Sequence, residues 1–136
     1  MKTKMFIIIT AALIGLFIYS ILYNGFSGAE SMVMRQTDDP PDISYETTDE
    51  KTIKTVMGIL NRSNKVTNTQ YKLAVTETFT LELAGEEIEK ETLYFHEGFS
   101  RNTTLISSNV RHAYFKISEK ETETIFNLLK GKGETR

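Results

Sequence analysis

Residues 71–83, YKLAVTETFTLEL, place Tyr71, Leu73, Val75, Phe79, Leu81 and Leu83 at alternate positions, the period of a β-strand with one buried face. Only Glu77 interrupts the stripe. Thirteen residues exceed an ordinary strand, so a bend or bulge is expected near Thr76–Thr78, with Glu77 as its natural place.

Downstream, Ala84-Gly85-Glu86-Glu87 reads as a hairpin connection to a strand that ends in Thr92-Leu93-Tyr94-Phe95-His96. Glu97-Gly98 reads as a further turn, and Phe99–Ser107 and Val110–Ile117 as a pair of extended segments around Ser108-Asn109. Upstream, ISYE from Ile43 suits a short strand. Thr47-x-x-Glu50 then has capping-box spacing, and Ile53, Val56, Met57 and Leu60 give the apolar stripe of a helix over about 49–61. Gly58 weakens that helix by about 1 kcal/mol relative to Ala unless another backbone packs there. Ser118-x-x-Glu121 with Ile125, Phe126 and Leu129 repeats the pattern over 118–130, ending at Gly131. The expectation is an α+β domain over 43–131, an antiparallel sheet of four to six strands packed against two helices, with 132–136 a solvated tail.

The N-terminus sets location. Met5–Tyr23, MFIIITAALIGLFIYSILY, carries no charge, and as a helix it extends about 28 Å, close to a bilayer's hydrocarbon thickness. Lys2 and Lys4 precede it, and the first later charge is Glu30, so residues 1–4 are expected in the cytoplasm and the rest outside the cell membrane. Ser27-Gly28-Ala29 also fits a signal-peptide cleavage site, which leaves secretion after Ala29 as the alternative to a retained anchor. Residues 24–42, with the Asp38-Asp39-Pro40-Pro41-Asp42 cluster, read as a linker.

After Ala29 the chain has 14 basic and 18 acidic residues, a formal charge of −4 that disfavours nucleic acid. The absence of cysteine removes disulfides, thiolate metal sites, Cys nucleophiles and lipidation as an anchor. Neither a Gly-x-Ser-x-Gly elbow, nor Ser-x-x-Lys, nor a glycine-rich phosphate loop is present, so no catalytic residue, cofactor site or metal site is assigned. The run Glu82, Glu86, Glu87, Glu89 and Glu91 reads as a solvated hairpin.

The run ISYETTDEKTIKTVMGILNRS, the aromatic-rich middle strands and the closing HAYFKISEKETETIFNLLKG resemble the YhfM-like domain of small Gram-positive envelope proteins over about 43–131. That resemblance implies tethering on the outer face of the membrane and carries over no activity and no functional residues.

Three functions stay open. In the first, aromatics on a sheet face left uncovered by helices, Tyr71, Tyr94 and Tyr114, bind a protein, peptide or cell-wall component. In the second, a small extracytoplasmic enzyme uses Glu77 or a His96, Glu97 and His112 group. In the third, the membrane helix, with Gly15 as a packing point, regulates a membrane partner.

Overall fold

The structure is a computed structural model. It describes residues 2–22, 24–71, 76–132 and 134–135, and the side chains of these except 17–22, 132 and 134–135. The element order is α1 (Lys2–Leu22), β1 (Ser31–Gln36), β2 (Tyr45–Thr47), α2 (Glu50–Asn61), β3 (Asn64–Val66), β4 (Phe79–Gly85), β5 (Ile88–Ser100), β6 (Thr103–Ser108), β7 (Tyr114–Ser118), α3 (Glu119–Lys132) and β8 (Glu134–Thr135).

Seven antiparallel strands form one sheet in the order β3-β7-β6-β5-β4-β1-β2, and the two-residue β8 extends it at β2. The class is therefore α+β with an antiparallel sheet, as the alternation indicates, but with more than the four to six strands expected. In β4, Phe79, Leu81 and Leu83 are buried while Thr80 and Glu82 face outward. Register then extends that stripe across the sheet. Leu81 lies opposite Leu93 on β5 and Met34 on β1, and Phe79 stacks on Phe95 at 4.4 Å. Ile53, Val56, Met57 and Leu60 of α2 join Ile125 and Leu129 of α3 in the same core, so both helices cover one face of the sheet.

The expected linker over 24–42 is corrected: Phe26 is buried in the core, and β1 is an interior strand between β4 and β2 with Met32 and Met34 fully buried. A two-methionine alternation is too short to stand out in sequence, and the strand is specified by the neighbours it pairs with. The proline cluster occupies the reversal between β1 and β2, where the Ile43 N–H donates to the Pro40 carbonyl at 3.0 Å. Prolines are tolerated there because no ladder bond is required of them.

Three boundaries also move. β4 begins only at Phe79, after a break at Thr76–Thr78, and the 72–75 part of the stripe lies outside the described residues. Glu97-Gly98 is a bulge within β5, where Gly98 takes φ +73°, and the chain reverses instead at Arg101-Asn102, with Asn102 at φ +56°. β7 starts only at Tyr114 because the Ser108 hydroxyl accepts from the N–H groups of Val110 and Arg111, both at 3.1 Å, and folds 109–113 into a loop.

The second capping box forms as written, with Glu121 N–H donating to Ser118 Oγ at 3.1 Å and Ser118 N–H donating to Glu121 Oε1 at 3.0 Å. α3 continues through Gly131 to Lys132. At α2 the cap is Asp49, which accepts from the Thr52 N–H at 3.0 Å, while Thr47 Oγ1 accepts from the Asp49 N–H at 3.1 Å.

Gly58 lies inside α2, and the nearest atom to a Cβ there is the far end of the exposed Arg62 side chain at 3.0 Å. No backbone demands glycine. Gly58→Ala is expected to stabilise the full chain by up to about 1 kcal/mol, read as a higher urea midpoint in micelles. A lower midpoint would mean that Arg62 cannot move aside.

Among the described residues no helix is long and apolar enough to cross a membrane. The expected span Met5–Tyr23 extends beyond them, since the side chains of 17–22 and all of residue 23 lie outside the described part.

Candidate functional site

The sheet face away from the helices carries the aromatics expected to bind. Tyr71, from the segment before β4, packs edge-on against Phe99 of β5 and Tyr114 of β7, each with centroids 5.0 Å apart. The Lys116 ammonium sits 5.5 Å from the Tyr71 ring and 5.6 Å from that of Phe99, within cation–π range. All three rings are half-buried. Tyr94 lies on β5 between Thr80 and Ser107, outward because its neighbours Leu93 and Phe95 point into the core. The structure thus gathers Tyr71 and Tyr114 and adds Phe99 to them.

Next to Tyr114 is a recess of about 240 Å³, lined by Thr69, Gln70, Ser107, Ser108, Arg111, His112, Ala113 and Tyr114. His96 is buried beside it, with Nε2 3.3 Å from the Ser107 hydroxyl across the β5–β6 pair. His112 is exposed on the 109–113 loop and lines the recess. Glu97 instead accepts a hydrogen bond from the Thr78 hydroxyl. Glu77 precedes β4, and its backbone carbonyl accepts from Thr37 Oγ1 at 2.7 Å, which ties the break to the end of β1. Among the described residues no three His, Asp or Glu side chains gather to hold a metal ion.

Sequence reading missed a second constellation, where the chain leaves α1. Asn24 donates through Nδ2 to the Leu60 and Ser63 carbonyls at 3.0 and 2.9 Å, at the end of α2. The Asn61 side chain pairs with the Phe26 backbone in both directions, at 2.7 and 2.8 Å. Arg111 completes the clamp: Nε donates to Glu91 at 2.9 Å, Nη1 to the Asn24 carbonyl at 2.9 Å and Nη2 to the Gly25 carbonyl at 3.2 Å. Its guanidinium lies 3.8 Å from the centroid of the Phe26 ring. Glu91 is 6 % exposed and also accepts from the Ser108 hydroxyl at 2.5 Å.

The expected solvated acidic run therefore divides. Glu82 faces outward beside Lys90 at 3.2 Å, whereas Glu91 is turned inward and buried. One signal was present: Glu91 is in phase with Leu93 and Phe95, and a carboxylate on an apolar stripe needs a buried partner.

Fold and site define a small α+β module with an apolar helix leading directly into its core. No protein-family model, curated protein or solved structure matches the chain.

Proposed function

We propose that this protein is a membrane-anchored extracytoplasmic module that binds a protein, peptide or cell-wall component through the sheet face opposite its helices. The observation that carries the reading is the half-exposed Tyr71, Phe99 and Tyr114 cluster beside an open recess, on the face the helices leave uncovered. Half-exposed aromatics offer large contact area at little cost in side-chain entropy. The face is favoured over the edges. At one edge β3 is three residues long with Lys65 exposed, and at the other β8 has only two residues, so neither offers a long template for strand addition.

Anchoring through residues 5–23 is supported by the exposure of Met5, Phe6, Ile7, Ile8, Leu13 and Leu16, each more than half exposed along α1. Retention is favoured over secretion because cleavage after Ala29 would remove Phe26 from the core and the Asn24 contacts with α2. The YhfM-like order of elements is in keeping with an outer-face tether.

The test is a photo-crosslinking residue at His112 of the full-length protein in cells, with Glu123 on α3 as control. Both positions are exposed. A discrete adduct from 112 and none from 123 is expected. The same pattern from both positions, or none from either, would sink the reading. Exchanging α1 for an unrelated anchor should leave the adduct intact, and its loss would favour regulation through the helix.

A further inference from the structure

We infer that the recess beside Tyr114 is a saccharide subsite, which takes one neutral pyranose unit of a glycan. This rests on the proposed binding role of the outward face and names its ligand. Among the described residues the side chains around the recess are hydroxyl, amide, imidazole, phenol and guanidinium groups, with Ala113 the one aliphatic. An apolar anchor of a protein partner would need an apolar pocket, which the described lining residues do not make.

Charge narrows the class further. Among the described residues no carboxylate lines the recess, and Arg111 is already shared between Glu91 and the carbonyls of Asn24 and Gly25. Among the described residues no carboxylate and no uncommitted guanidinium there offers a cation or a phosphate its counter-charge. What remains is uncommitted hydrogen-bonding capacity. Among the described residues, the side chains of Gln70 and His112 and the Tyr114 hydroxyl have no hydrogen-bond partner in the protein. Together they offer both donors and acceptors, which a ring bearing several hydroxyl or acetamido groups can satisfy at once. Tyr114 supplies an aromatic surface for the ring's C–H groups, and the edge-on contact with Tyr71, 5.0 Å away at 77°, holds it in place beforehand. A volume of about 240 Å³ suits a single ring, so neighbouring units would lie over the outward face.

The test is calorimetric titration of the full-length protein in phosphocholine micelles, which carry no sugar. The probes are the N-acetylglucosamine tetramer, maltotetraose and a free wall stem peptide. Saturable binding of the N-acetylglucosamine tetramer is expected, weakened about fivefold by Gln70→Ala and by His112→Ala, the equivalent of one lost hydrogen bond each. Gln70 and His112 are exposed, so these variants should keep the wild-type circular dichroism. Three results would overturn the subsite: no saturable binding of either saccharide, saccharide binding untouched by both variants, or stem-peptide binding that both variants abolish. If binding fails while the adduct from position 112 persists, the subsite alone falls. Loss of both removes the outward-face reading as well.

Discussion

Phe26→Ala is expected to destabilise the full-length protein by about 3–5 kcal/mol, the range for deleting a buried aromatic ring. Net domain stabilities are about 5–15 kcal/mol, so this one ring carries a large share. The ring is 1 % exposed, meets Phe115 edge-on at 5.1 Å and lies under the Arg111 guanidinium. Its removal empties a cavity between the sheet, α2 and Arg111. Urea unfolding in micelles, followed by circular dichroism, measures it, with Phe26→Leu expected to recover most of the loss. An unchanged midpoint would show that residues 24–29 are dispensable to the fold, and would revive the secreted form as the working protein.

Arg111→Ala is expected to cost about 3 kcal/mol by the same assay, because it leaves the Glu91 carboxylate buried without its cation. Arg111→Lys should restore little, since one ammonium cannot replace a planar fork that reaches Glu91 and two carbonyls together. Arg111→Met combined with Glu91→Gln should recover part of the loss, since no unpaired charge then remains. If Arg111→Ala unfolds at the wild-type midpoint, the clamp contributes nothing. Arg111 also sits on the loop that lines the recess, so the residue that fixes Asn24 and Gly25 shapes the proposed binding face as well.

Chemistry was less legible than fold. Tyr114 could be placed on the outward face by alternation alone, whereas Tyr71 shares its parity with the buried Phe79, Leu81 and Leu83 and joins Tyr114 outside because β4 starts only after the break at Thr76–Thr78. Phe99 joined them through the bulge at Gly98, which shifts the register after His96. The recess has no sequence signature, because Gln70, Ser107 and His112 come from three separate segments. His96 and Ser107 meet across two strands whose pairing is set by a turn at Arg101-Asn102 rather than at Glu97-Gly98.

The sequence by itself determined the class of fold: period-two and helical stripes with local caps specify which face of each element is apolar, and such patterns are read from neighbours only a few residues apart. It also determined the apolar N-terminal run and the absence of every chemistry that needs cysteine. Only the tertiary structure decided that β1 is an interior strand of the sheet, that Phe26 belongs to the core, and that Arg111 finds Glu91. Each of these depends on partners tens of residues away: Met34 is held by Leu81, Phe26 by Asn61, and Arg111 by Asn24 at the far end of the chain. Burial of that kind is a property of pairs, and no local pattern records the second member.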